Sequence, residues 1–233
     1  MKSILSRSSM AAASALLTMA GSAVAAAPAS AQACPDVQVV FARGTFEPAG
    51  VGATGQAFVD SLTAKAPGKT IDVYPVNYPA SLDFAAAGQG VVDASNKVKE
   101  TAANCPKTKI VIGGYSQGAA VAAYITEDSL PQGFALPAGL TGPMPPSVAD
   151  HVAAVALFGK PSSGFMQMIY SDAPPIDVGS RYASKTTDLC IPGDPVCSSG
   201  GGNNGMHSMY IANGLTDQAA DFAVSKLARG GTA

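Results

Sequence analysis

Short apolar runs alternate along the chain with longer stretches in which apolar residues recur at helical spacing. Residues 37–42 form a near-continuous apolar run of the kind buried on both faces of a sheet. The spacing of Phe58 and Leu62 predicts an amphipathic helix over 52–66, and 70–76 reads as a second strand. Val91, Val92, Ala94 and Val98 give residues 82–103 an apolar helical face, which Cys105-Pro106 ends. A β-branched run at 109–115 predicts the third strand, with a helix following Ser116. Residues 131–146 are rich in proline and glycine and read as a loop. A fourth strand is expected at 152–158, a weaker fifth at 181–186, and a polar loop over 187–205 before a last helix at 207–227.

Strands alternating with helices at this spacing imply an α/β fold, a three-layer αβα sandwich around a mainly parallel five-stranded sheet. Ligands on such sheets bind at the carboxyl ends of the strands. The loops after Ala42, after Tyr115 and after Thr186 all lie at those ends. Neither a repeat nor an interdomain linker is evident, so residues 34–233 are expected to form one domain.

The first 33 residues stand apart. Lys2 and Arg7 precede an uncharged stretch of Ala, Leu, Met and Val, and the small residues Ala29-Ser30-Ala31 and Ala31-Gln32-Ala33 follow. This is the pattern of a cleaved signal peptide, and the run is too weakly hydrophobic to favour the competing reading of a membrane anchor. Removing Lys2 and Arg7 changes the formal charge from −2 to 12 − 16 = −4. That balance argues against nucleic acid as a partner and against electrostatic binding to anionic lipid.

Export makes disulfides the default state of the four cysteines, whose spacing fits no zinc template. Three connectivities are possible. Cys190 and Cys197 close a short loop and are the obvious local pair, which leaves Cys34 with Cys105. The longer bridge would contribute about 4 kcal/mol by loop entropy.

Candidate chemistry centres on Gly114-Tyr115-Ser116-Gln117-Gly118. A serine on a sharp strand-to-helix turn has its hydroxyl clear of the sheet edge, and flanking glycines avoid collisions across the turn. A serine nucleophile needs a base, and the chain has only two histidines. His151 precedes the fourth strand, at the wrong edge of the sheet. His207 ends the polar loop at the correct edge. Its orienting carboxylate is best supplied by Asp194, inside the Cys190–Cys197 loop. Asp188 is the runner-up, while Asp172 and Asp177 read as surface groups. The order Ser116, Asp194, His207 is that of α/β-hydrolases.

Taken together, Ala42-Arg43-Gly44-Thr45, the Ser116 turn, Cys190-Ile191-Pro192-Gly193-Asp194-Pro195-Val196-Cys197, His207 and the four cysteine positions resemble the cutinase family, the small lidless branch of the α/β-hydrolases. The resemblance implies Ser116 as nucleophile, His207 as base and Asp194 as its partner. It further implies an oxyanion hole from the backbone N–H groups of Thr45 and Gln117, with the Thr45 hydroxyl as a further donor. Leu82 and Phe84 become candidates for contact with an acyl chain, or alternatively for core packing. Fungal cutinases carry bulky aliphatic residues before the histidine; here Gly200 to Gly205 stand instead, which predicts a weak grip on waxy polyester.

The function expected is a secreted, monomeric serine esterase acting on small-molecule or lipid esters of short-to-medium acyl chains, without metal, cofactor or stable membrane anchor. Two alternatives compete. One is a carbohydrate deacetylase of the acetylxylan esterase type, disfavoured by the absence of Trp. The other is a non-catalytic secreted binding or antigenic protein.

Overall fold

A computed structural model describes residues 33–129 and 137–229. The proposed signal segment before Ala33 and residues 131–136 of the proline-rich loop lie outside the described residues. The sheet has five strands, β1 (Val37–Ala42), β2 (Ile71–Pro75), β3 (Lys109–Tyr115), β4 (Val152–Phe158) and β5 (Thr186–Leu189). All neighbours are parallel, in the order β2-β1-β3-β4-β5. The order reverses direction between β1 and β3, which opens a crevice at the carboxyl ends of those two strands.

Alternation along each strand divides the core between two faces. On one face Val40, Ala42, Ile110, Ile112, Val155 and Leu157 meet helices α2 (Ala87–Asn104) and α3 (Gln117–Tyr124). On the other, Val37, Val39, Phe41, Val111, Ala154 and Phe158 meet α1 (Gly52–Lys65) and α7 (Leu215–Arg229). The Phe41, Phe58 and Phe158 rings form an aromatic cluster there, with centroids 5.8–6.3 Å apart. Three short helices, α4 (Pro146–Ala149), α5 (Ser163–Ile169) and α6 (Ser180–Ala183), are additional to those expected from the sequence, and α6 overlaps the expected fifth strand.

Two elements differ from the sequence reading. The fifth strand is displaced: residues 180–183 form a helical turn, and pairing with β4 begins only at Thr186. A polar edge strand gives little hydrophobic signal of its own. The final helix starts at Leu215 rather than at His207, which instead sits in a 3₁₀ turn, Asn204–Ser208. The disulfides pair Cys34 with Cys105 and Cys190 with Cys197. The first ties the start of the domain to the end of α2.

Candidate active site

Ser116 occupies the turn between β3 and α3 with φ 55° and ψ −120°. A non-glycine residue held there carries about 1–3 kcal/mol of backbone strain, so its surroundings must fix it. They do so on both sides. The Ser116 N–H donates to the Phe158 carbonyl of β4 at 2.8 Å. A Cβ on Gly118 would lie 2.0 Å from the Ala42 carbonyl oxygen, and one on Gly114 would lie 2.1 Å from that of Gly118. Only glycine permits these approaches.

His207 reaches the serine from the turn after the polar loop. Its Nε2 lies 2.8 Å from Ser116 Oγ, and its Nδ1 lies 2.8 Å and 3.0 Å from the two carboxylate oxygens of Asp194. A carboxylate only accepts, so Nδ1 carries the proton and Nε2 is left to accept from the serine hydroxyl. The Tyr115 ring stacks on the imidazole at 5.0 Å, and the Tyr115 hydroxyl donates to the His207 carbonyl at 2.6 Å. Gly159, at φ 61°, leaves room for the ring: a Cβ there would stand 3.0 Å from His207 Cε1.

Asp194 is fully buried. Burial of a carboxylate is tolerable only with donors around it, and three are present. Besides His207, the Val196 N–H donates at 2.8 Å and the Tyr210 hydroxyl at 2.6 Å. Tyr210 is itself wholly buried, and both its burial and its bond to Asp194 push its phenol well above the usual tyrosine range. Sequence reasoning missed Tyr210, because nothing local to it signals the distant carboxylate that it meets.

The loop after β1 presents Thr45 to the same crevice. Its N–H donates to no group among the described residues, and the Gln117 N–H is in the first turn of a helix, where no intrahelical acceptor exists. The loop is braced by two charged side chains, the buried Arg43 and the half-buried Glu47. The Arg43 guanidinium donates to the carbonyls of Glu47 (2.9 Å), Val76 (3.4 Å), Tyr78 (2.6 Å) and Pro79 (3.4 Å). The Tyr78 hydroxyl donates back to the Arg43 carbonyl. The Glu47 carboxylate accepts from the N–H groups of Gly44 (2.6 Å) and Ala53 (2.7 Å), joining the loop to the start of α1.

Ser116, His207, Thr45 and Gln117 line one cavity of about 750 Å³, with Leu82 and Phe84 on its wall. Leu82 is largely exposed at the mouth and neither residue belongs to the core, so the packing alternative is not the one realised. Phe46, also largely exposed, joins the wall and was not anticipated. The other candidates lie apart. Asp188 pairs with Lys160 at 3.5 Å, Asp172 and Asp177 are exposed, and His151 stands at the amino end of β4.

The glycine run is less slack than its composition suggests. The Asn203 N–H donates to the Gly193 carbonyl at 3.2 Å, and a Cβ on Gly201 would lie 2.3 Å from the Asp194 carbonyl oxygen. Gly201 thus lets the chain pass close beside Asp194.

The cutinase family profile matches residues 33–227. The chain is 48% identical over 215 residues to carboxylesterase Culp1 of Mycobacterium tuberculosis, covering 90% of this chain and 92% of that protein. Among solved structures it is similar to a Trichoderma reesei cutinase in complex with a phosphonate inhibitor, at TM-score 0.60 and 31% identity, over 83% of this chain and 77% of that one. An acetylxylan esterase aligns at TM-score 0.66 and 25% identity, over 84% of this chain and all of that one (100%). This chain belongs to the cutinase family and is a carboxylic ester hydrolase.

Proposed function

We propose that the protein is a secreted serine esterase that cleaves carboxylic esters of short-to-medium acyl chains through an acyl-enzyme. The observation that carries this is the unbroken hydrogen-bonded line from Ser116 Oγ through His207 to buried Asp194, opening into an apolar-walled cavity. Ser116 Oγ attacks the ester carbonyl as His207 Nε2 takes its proton. The oxyanion accepts hydrogen bonds from the Thr45 and Gln117 N–H groups and the Thr45 hydroxyl, each backbone donor being worth on the order of 3 kcal/mol of barrier. Collapse breaks the ester C–O bond, and His207 returns the proton to the leaving alcohol. Water then enters and attacks the acyl carbonyl as His207 Nε2 takes its proton; collapse breaks the bond to Ser116 Oγ, which receives that proton from His207, and the acid leaves.

The disulfides support export to an oxidising compartment, in keeping with the signal-like start of the sequence. The structural likeness to an acetylxylan esterase favours a second reading, deacetylation of carbohydrate. Against it stand the apolar walls of the cavity and the lack of a tryptophan platform. Replacing Ser116 by Ala decides the mechanism: hydrolysis of p-nitrophenyl butyrate should fall more than about 10⁴-fold while the circular dichroism spectrum is kept. Retained turnover in the folded variant would remove the nucleophile assignment. Activity confined to acetylated sugars in the wild-type protein would move the second reading to first.

A further inference from the structure

The cavity does not end at the serine. Ala120, Tyr124 and Glu127 line it too, at positions 4, 8 and 11 beyond Ser116, one face of α3 and its continuation. At a rise of about 1.5 Å per residue the helix carries Tyr124 about 12 Å along its axis from Ser116, and i→i−3 turns take Glu127 farther still, a span comparable to an extended chain of about a dozen carbons. Tyr124 and Tyr170 flank this end of the cavity.

Glu127 is poorly compensated. It is half-buried, and its Oε1 accepts from the Asp177 N–H at 3.2 Å. No lysine or arginine among the described residues forms an ion pair with it. The other charged groups around it add to the negative side or are engaged. The Asp177 carboxylate faces it from the segment before α6, and Asp172 is exposed on the same stretch. Asp128, next in the chain, accepts from the Ser180 N–H at 2.8 Å. Lys160 pairs with Asp188 and donates to the Ile176 carbonyl at 3.5 Å. The Tyr124 hydroxyl donates to the Pro174 carbonyl at 2.7 Å. Glu127 also follows the carboxyl end of α3, the negative end of the helix dipole, which disfavours an anion and favours a cation.

We propose that Glu127 forms a chain-end subsite at the far end of the acyl cavity. As a carboxylate it selects ligands whose distal end is a cation, and it admits a plain alkyl end only when protonated. The cation would be held between the carboxylate and the Tyr124 and Tyr170 rings. An alkyl terminus would instead strip water from an unpaired charge and gain nothing in return. This rests on the serine-esterase reading above and adds to it a determinant of acyl length and chain-end chemistry. Desolvation raises the Glu127 carboxyl to about 7 despite the stabilising Asp177 N–H, with the Asp177 carboxylate adding a smaller upward push, so the switch falls within the working range.

The sign follows directly. Below about pH 7 the carboxyl is neutral and long alkyl chains enter; above it the carboxylate excludes them. Between pH 6 and pH 8.5 the protonated fraction falls roughly thirtyfold. The test is the ratio of kcat/KM for p-nitrophenyl dodecanoate to that for the butyrate, in which the shared Ser116–His207 chemistry cancels. The ratio should fall by up to about thirtyfold over that interval in the wild-type enzyme and stay flat in Glu127→Gln. Inhibition of butyrate hydrolysis by dodecyltrimethylammonium below its micelle concentration should strengthen over the same interval, because the probe's own charge is fixed, and should lose that response in the variant.

A wild-type ratio independent of pH would overturn the proposal, as would an equal response in Glu127→Gln. If neither ester is hydrolysed, the esterase reading fails instead. Displacement of a fluorescent fatty-acid probe by the same cation then still reads the subsite: stronger displacement at pH 8.5 supports it, and pH-independent displacement rejects it. Should Glu127→Gln fail to fold, the wild-type cation and alkyl arms decide alone, since they must move in opposite directions with pH.

Discussion

The two loops that bring groups to Ser116 are held by opposite means. The loop after β1, which carries Thr45, is fixed by charged side chains: the buried guanidinium of Arg43 satisfies four carbonyls and the half-buried Glu47 carboxylate satisfies two N–H groups. The loop that carries His207 is fixed by a disulfide, a buried carboxylate with three donors, and a stacked tyrosine. In the mechanism proposed, an oxyanion donor must be in place before the charge develops, and charge-assisted bonds to backbone give that stiffness. A base needs its ring plane and tautomer fixed, while the rest of its loop is free to be glycine. Rigidity is therefore concentrated where a displacement of about 1 Å is most costly.

Breaking the first loop should have the larger effect. Arg43→Met removes the guanidinium and leaves buried carbonyls without donors, at a cost of about 3 kcal/mol of stability. With Thr45 no longer held, kcat should fall about 100-fold, which denaturant unfolding and ester kinetics read together. A loss of stability with kcat intact would show that the clamp serves the fold alone.

On the other loop the effects are smaller. Tyr210→Phe deletes one donor to buried Asp194 and should lower kcat about tenfold with KM little changed. A pure stability loss without a kcat change would deny Tyr210 its orienting part. The smallest contrast is the sharpest: Gly201→Ala puts a Cβ against the Asp194 carbonyl, whereas Gly202→Ala meets open space. The first should reduce kcat several-fold, by roughly 1 kcal/mol of barrier, and the second should leave rate and melting temperature unchanged. Equal behaviour of the two variants would mean that the glycine run is slack throughout.

Much of this was legible in the sequence, and for identifiable reasons. β1, β3 and β4 announce themselves because strands buried on both faces must be apolar almost throughout. Ser116 and His207 could be paired because the chain offers so few histidines. The edge strand β5 gave no such signal, being short, polar and half-exposed. The start of the last helix was misplaced because apolar spacing continues through Met206 and Met209 while the chain turns to deliver His207. Arg43, Tyr210 and Glu127 were out of reach for a different reason. Their roles depend on carbonyls, a carboxylate and a cavity supplied by segments distant in sequence, and no local pattern encodes those meetings.

The contact of Gly118 with the carbonyls of Ala42 and Arg43 bears on redesign. It presses the helix that follows Ser116 directly against the strand end that feeds the Thr45 loop, so neither can be relocated without the other. Attempts to enlarge the reacting end for bulkier esters will meet a coupled pair of backbones rather than a replaceable side chain. Substrate scope is more readily altered towards the opposite end of the same helix, where Ala120, Tyr124 and, beyond it, Glu127 line the cavity.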